Sequence, residues 1–594
     1  MSSKLTIEQL QHTQGVAFPE LEAARDKIQL LETAPRTQRL LQQTQHFMEE
    51  IALIPQTSYT HYRVFRNTGE RGQYQTPYFL KRKKLAAAVL RLFLGQTALK
   101  DVVQDYLWNI CEESNWVVPA HEFLPIDLFA AETAFLLAET LHLLGEILDG
   151  EVRHRIRAEI DRRIFDPYLR FHRSHSWYQR ASNWNGVCNS SVAATFVLLE
   201  PEPERVIHAL EVALSGLQAF VDTAFTDDGS STEGVSYWHY GLINFIALSE
   251  LLYARSGGAI NLLAGEKMKR IAAFPAKLQL SGSCFASFAD CDESLRFHPG
   301  IITRLAERTG EQSLLNLLAP VAELESDWRL SMMLRDILWW DGSQPDAPLL
   351  TDARQPIGGT ARLVTHTEQG VPVVLSIKAG HNNEQHNHND VGSFLLHIAG
   401  ENLLTDPGRG LYSRDYFGAK RYDNIFANSY GHSVPRIDGM LQGTGQDFAG
   451  TLLESEGTAE LDGYKRVAIE FARAYPCADL KSARRELLLA TKGDAAGTAW
   501  LRDHFQFAGE AHEVEEAFVT WMECEIDGAT ARIHGQQHDV YLTIEQPQGV
   551  QFRLERLEEQ SKANERDGIL KRLSIVLPRE MTIDVSIRMT TRKQ

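Results

Sequence analysis

The 594 residues are enough for more than one domain, and 43% are hydrophobic, with ten Trp and 27 Phe to fill a core. Sixty Lys and Arg against 78 Asp and Glu leave a formal net charge of -18, which argues against nucleic acid or a membrane surface as partner. The six cysteines are scattered and none forms a CxxC pair, so neither a zinc–thiolate site nor a disulfide framework is expected.

The N-terminal MSSKLTIEQLQHTQG lacks an apolar core segment and a cleavage pattern. A cytoplasmic protein is the expectation, or a periplasmic or secreted one if a leader has been removed. No run of about 18 apolar residues suggests a membrane span. Apolar residues at i, i+3, i+4 and i+7 predict helices at 21–54, 84–96, 125–149 and 203–225. Further helical patterns follow at 237–256, 262–275, 300–308 and 311–337. Near 340 the texture changes. Residues 339–359, WWDGSQPDAPLLTDARQPIGG, read as a linker rich in Pro, Asp and Gly. Beyond it, period-two stretches such as VPVVLSIKAG, KRVAIEFARAYP and LKRLSIVLP predict antiparallel strands with one buried face. Two domains are expected, a helical one over 1–345 and a β-sandwich over 346–594.

Three clusters carry chemistry. In RASNWNGVCNSS, Asn183, Asn185 and Asn189 surround the start of an apolar helix, more asparagine than a cap needs. In STEGVSYWHYG, Tyr237, His239 and Tyr240 follow Glu233. An aromatic core stripe is the bland reading, but Glu233, Tyr237 and His239 would be costly in a core without partners. The third cluster is HNHND at 386–390, followed by LLTDPG and YGHSVP. His388, Asp406 and His432 form a three-ligand set suited to zinc or a similar divalent ion. His386 is left over and suits proton chemistry.

These segments resemble the heparinase II/III-like polysaccharide lyases. HNHNDVGSF, GENLLTDPGRGLY and RYDNIFANSYGHSVPRIDG resemble the C-terminal domain of that family, while SNWNGVCNSS, EGVSYWHYG and WVVPAHEFLPIDLFAAETA resemble its helical domain, the last a helix pair. The resemblance implies an incomplete (α/α) toroid followed by an antiparallel β-sandwich. It implies β-elimination at a 4-linked uronic acid of an anionic polysaccharide, with heparan sulfate or heparin, hyaluronan and chondroitin as the first substrates to consider. Asn183 and Asn185, the latter favoured, match the amide that offsets the uronate carboxylate. Tyr237 and His386 match the acid and base, with their order open and Tyr240 in reserve. A cationic neighbour such as His239 would lower the tyrosine's pKa. His239, Glu233, Arg409, Arg414, Arg421, Tyr412 and Tyr416 are candidates for gripping substrate. The resemblance implies one mainly structural divalent ion on His388, Asp406 and His432, zinc first and manganese second.

The competing readings are an oligoalginate lyase of the same fold and an inactive carbohydrate-binding relative. A glycoside hydrolase would need two flanking carboxylates, for which Glu233 and Asp390 are the obvious pair. Oligomeric state is open, with a homo-oligomer allowed.

Overall fold

The computed structural model describes residues 16–123, 125–318, 329–344, 350–453 and 461–593. The N-terminal 15 residues, part of the 311–337 helical pattern and the expected 345/346 junction lie outside them. The chain divides into two compact units. One comprises Met1–Phe225, Tyr237–Ala272 and Arg296–Asp346, the other Thr226–Ser236, Ala273–Leu295 and Ala347–Gln594. The segments 226–236 and 273–295, which periodicity assigns to the helical domain, therefore belong to the β unit.

In the helical unit most of the expected helices form, with boundaries set by local chemistry; of the 311–337 pattern, Gln312–Leu317 is a 3-10 turn and Leu330–Trp339 a helix. The 21–54 pattern is broken into Pro19–Arg25, Ile28–Thr33, Pro35–Gln43 and a 3-10 turn Gln45–Met48. Pro35 cannot continue a preceding helix but fits the first turn of the next. The expected helix pair at 116–134 is one helix only. Pro119–His121 makes a 3-10 turn, and the helix Leu128–Leu144 then starts at Asp127, whose side chain accepts from Ala130 N at 2.7 Å. Leu128–Ile147 has the length and hydropathy of a membrane span, but 72% of it is buried in the protein. Its Glu139 is bound at 2.6 Å by the buried Arg335.

The helix Asn183–Leu199 packs closely on its neighbours. A Cβ on Gly186 would lie 2.7 Å from Gly241 O and 2.8 Å from the Phe220 ring. A methyl group cannot enter without moving backbone. Gly186→Ala should therefore cost about 1–3 kcal/mol, read as a lower denaturant midpoint at unchanged slope. An unaltered midpoint would refute this packing.

The β unit holds, among the described residues, antiparallel sheets of nine, five and four strands plus a two-stranded ribbon. The nine-stranded sheet includes Tyr464–Glu470, Leu480–Ala490, Ala499–Phe507 and Thr582–Lys593. Ala499–Phe507 alternates buried and open positions along its length, the expected one-face pattern. The five-stranded sheet departs from that expectation. Thr360–His366, Pro372–Lys378 and Phe394–Ile398 are buried at nearly every position, so both faces are covered. The 273–295 segment contributes to this. Arg362 Nη1 donates to Ala276 O at 2.8 Å, and Ser281 Oγ lies 2.7 Å from His397 Nε2. One hydrophobic core joins the three main sheets through residues such as Leu375, Phe394, Leu487, Phe505, Phe518 and Leu573.

Candidate active site and metal centre

Within the helical unit, Ser182 caps the helix that carries the asparagines by accepting from Trp184 N at 3.3 Å. Asn183 and Asn185 are both buried. The Asn185 amide nitrogen donates to Arg180 O at 3.1 Å and Gly216 O at 2.9 Å, and its oxygen accepts from Asn189 at 2.7 Å. Asn189 in turn accepts from the Tyr168 hydroxyl at 2.5 Å. The Asn185 carboxamide is thus engaged at both ends, holding this helix to its neighbour. It has no hydrogen left for a uronate carboxylate, a difference from the sequence preference for Asn185 over Asn183.

Tyr237 is half-buried. Tyr240 donates to Glu132 at 3.3 Å, and burial beside that carboxylate pushes its hydroxyl well above the usual tyrosine range, which suits a structural phenol rather than a base. His239 stacks on His298 with ring centroids 5.7 Å apart. Burial holds it neutral, well below the ordinary histidine value, so it does not supply the expected cation.

The remaining candidates are in the β unit. His386 has φ +56°, a left-handed conformation uncommon for a non-glycine residue and frequent at functional sites. Its side chain is 15% exposed. The Nδ1 atom lies 2.8 Å from Asp290 Oδ2, and Nε2 lies 3.9 Å from Glu233 Oε1. Tyr412 and Phe417 flank it, with ring centroids 6.4 and 6.1 Å away. Phe417 is 45% exposed; its position beside the histidine comes from the loop and has no signature in spacing.

Asp290 is the residue that sequence reasoning missed. It is buried at 1% exposure and meets four donors. His386 and His388 Nε2 stand at 2.8 and 2.9 Å, the Tyr416 hydroxyl at 2.6 Å and Arg421 Nη2 at 3.0 Å. Its carboxyl is held far below the usual carboxylate range: the two histidines and the Arg421 guanidinium outweigh burial. Tyr416 and Arg421, expected to grip substrate, are therefore spent inside the protein. Arg421 also donates to Asn387 O at 2.9 Å and lies over the Tyr416 ring at 4.4 Å. Arg409 bonds Asp292 at 2.9 Å at a half-open surface, and Arg414 is exposed. Glu233 is buried.

His388, Asp406 and His432 converge. All three are buried, and one ligand atom from each lies within 4.8 Å of the others. Asp406 Oδ2 is 2.9 Å from His432 Nδ1, and Gly408 N donates to Asp406 Oδ1 at 3.0 Å. His432 Nε2 faces Phe426 O at 3.1 Å. Both imidazoles thus engage the protein through Nε2 and turn Nδ1 inward, an arrangement in which outer partners aim metal ligands. His388 Nδ1 is buried with no hydrogen-bond partner, a cost that a bound cation would remove. The two-nitrogen, one-oxygen set suits zinc. Asp390, by contrast, is buried and neutralised by Lys378 Nζ at 2.6 Å. The Glu233 and Asp390 pair therefore offers no accessible acid and base for a glycoside hydrolase.

Residues 353–555 match the family model of the heparinase II/III-like C-terminal domain. The match lies within the β unit. Solved structures resemble the chain over most of its length. A crystal structure of heparinase III is 13% identical with a TM-score of 0.63, covering 88% of this chain and 78% of that one. A second heparinase III is 12% identical with a TM-score of 0.60, covering 100% and 94%. A heparan sulfate lyase HepC mutant from Pedobacter heparinus is 12% identical with a TM-score of 0.58, covering 99% and 93%. At such identities the likeness concerns the fold: helices followed by an antiparallel β-sandwich, as in heparinase III. No curated protein matches the chain in sequence. In the matched region, HNHND supplies both the mostly buried His386, 15% exposed, and the fully buried His388.

Proposed function

We propose that the protein is a polysaccharide lyase that cleaves uronic-acid-containing glycosaminoglycans, or oligosaccharides from them, by β-elimination. The observation that carries this reading is His386. An imidazole 15% exposed, held through Nδ1 by a buried carboxylate and flanked by Tyr412 and the exposed Phe417, sits in a region that matches the heparinase II/III-like C-terminal domain.

The C5 proton of a uronate is weakly acidic, because its loss places further negative charge beside a carboxylate. That charge must be met by hydrogen-bond donors. In this reading His386 Nε2 exchanges the proton, its other nitrogen being committed to Asp290. Tyr237 is the second proton-transfer group. Asn183 takes the amide role, since Asn185 is fully engaged. Arg409, Arg414, Tyr412 and Phe417 meet the anionic sugar, the arginines through their planar donor forks.

His388, Asp406 and His432 would hold one divalent ion, zinc first and manganese second. The ion would supply a rigid tie between the HNHND segment and the loops bearing Asp406 and His432, with no part in proton transfer.

The test is a panel of heparan sulfate, hyaluronan, chondroitin and alginate, as polymers and as oligosaccharides, read by the ultraviolet absorbance of the 4,5-unsaturated uronate. Absorbance should rise with at least one glycosaminoglycan and fall away in Tyr237→Phe. Product from alginate alone would replace the substrate class, and binding without product on every substrate would refute the lyase.

A further inference from the structure

Asp290 reaches two chemistries at once. Its Oδ2 is bonded to His386 and its Oδ1 to His388, at 2.8 and 2.9 Å. An ionised carboxylate only accepts hydrogen bonds. Both imidazole nitrogens facing it must therefore carry hydrogen, His386 at Nδ1 and His388 at Nε2. Each ring has two nitrogens, so the carboxylate chooses what the other one does. For His386 the remaining nitrogen is Nε2, on the side of Glu233 Oε1 at 3.9 Å. For His388 it is Nδ1, buried without a partner, on a ring that has a ligand atom within 4.8 Å of one from Asp406 and one from His432.

We propose that Asp290 is a shared positioning residue: one carboxylate fixes His386 as a base through Nε2 and His388 as a metal ligand through Nδ1. The proposal rests on the lyase reading for the role of His386 and on the metal reading for that of His388.

The surroundings favour this over a carboxylate that merely fills space. Asp290 N also donates to His386 O at 3.2 Å, so the two residues are joined through main chain and side chain. Both His386 (φ +56°) and Ala289 (φ +63°) adopt left-handed backbone. Such conformations cost on the order of 1 kcal/mol each and persist only where the surroundings over-determine them. Tyr416 and Arg421 occupy the rest of the carboxylate, at 2.6 and 3.0 Å, which keeps it from turning away. A purely structural aspartate would have no reason to leave His388 Nδ1 orphaned in the interior. That orphan follows directly from the tautomer Asp290 imposes, and its lone pair suits a cation.

The test uses the full chain, metal-free, with isotopically labelled histidine. Ring-nitrogen resonances are assigned by comparison with His386→Gln and His388→Gln. The wild-type protein should show His386 protonated at Nδ1 and His388 at Nε2; the opposite tautomer at either ring overturns the proposal without any variant of Asp290. Asp290→Asn keeps the shape but presents a donor where one oxygen accepted. It should change the tautomer of at least one of the two rings. It should also weaken binding of Zn²⁺ alone by about 10–100-fold, titrated against a chelating dye, and lower kcat more than it raises KM. Unchanged resonances and unchanged zinc affinity in Asp290→Asn would refute the assignment, and a wild-type protein that binds no zinc would refute its metal half. Resonances and zinc titration need no substrate. A chain that shows both signatures yet cleaves no uronate would sink the lyase reading and leave Asp290 as assigned.

Discussion

Replacing His386 by asparagine should lower uronate elimination by about 10²–10⁴-fold, the usual range for a lost general acid or base. Asparagine is the informative replacement because it tolerates the left-handed backbone of this position, φ +56°. Its amide can also still donate to Asp290 Oδ2, the partner of Nδ1 in the native protein. Packing and metal binding are thereby preserved while proton exchange at Nε2 is removed. The expected pattern is a collapse of kcat with a melting temperature close to wild type. Turnover at the wild-type rate in a folded His386→Asn protein would show that the proton leaves by another route. Tyr237→Phe serves as the comparison, since a phenol and an imidazole acting on the same elimination should not be additive when both are removed.

The second large effect is on stability. Arg485 is fully buried and bonds four residues, Asp503, Glu516, Gly392 and Ser433. Nη2 bonds Asp503 at 2.6 Å and Glu516 at 2.9 Å, and Nε reaches Asp503 Oδ1 at 3.1 Å. Nη1 donates to Gly392 O and Ser433 O, each at 2.7 Å. Gly392 follows the HNHND segment and Ser433 follows His432, so one guanidinium ties together two of the three backbone stretches that present the candidate metal ligands. Arg485→Met removes the cation and leaves two buried carboxylates facing one another. Burial and Asp503 already push Glu516 well above the usual carboxylate range. Breaking such a cluster from one side costs about 3–5 kcal/mol, measured by urea unfolding at neutral pH. The metal should be lost or bound more weakly in the same variant. A loss below about 1 kcal/mol, the scale of an exposed pair, would mean that the three charges do not act as a unit.

Much of the fold was legible because period carries it. The switch from helical to two-residue spacing near 340 marks where the long run of strands begins, and His388, Asp406 and His432 stood out because two imidazoles and a carboxylate make a ligand set suited to a divalent ion. The remainder depended on partners that sequence cannot show. Asp290 lies 96 residues before His386, in a stretch whose surroundings read as helical, and FADCDES offers no spacing that points to a histidine. Arg421 and Tyr416 looked like substrate contacts since an arginine and a tyrosine near a site suit an oxyanion; their real partner is that same unseen aspartate. Asn185 was preferred over Asn183 on resemblance alone, and only the carbonyls of Arg180 and Gly216 reveal that its amide is committed. The five-stranded sheet lacks clean alternation for a related reason: coverage of its second face is a tertiary fact.

The division of the chain has a practical corollary for anyone dissecting it. The backbone passes from one unit to the other at 225/226, 236/237, 272/273, 295/296 and 346/347. A fragment cut to begin at Ala347 would look like a tidy C-terminal module, yet it would be missing the ribbon Gln279–Ser281 and Cys284–Phe285, the Ser281 hydroxyl that meets His397, and Asp290 itself. Neither histidine of HNHND would retain its anchor. The two units are interleaved along the sequence, so they must be inherited, expressed and engineered together.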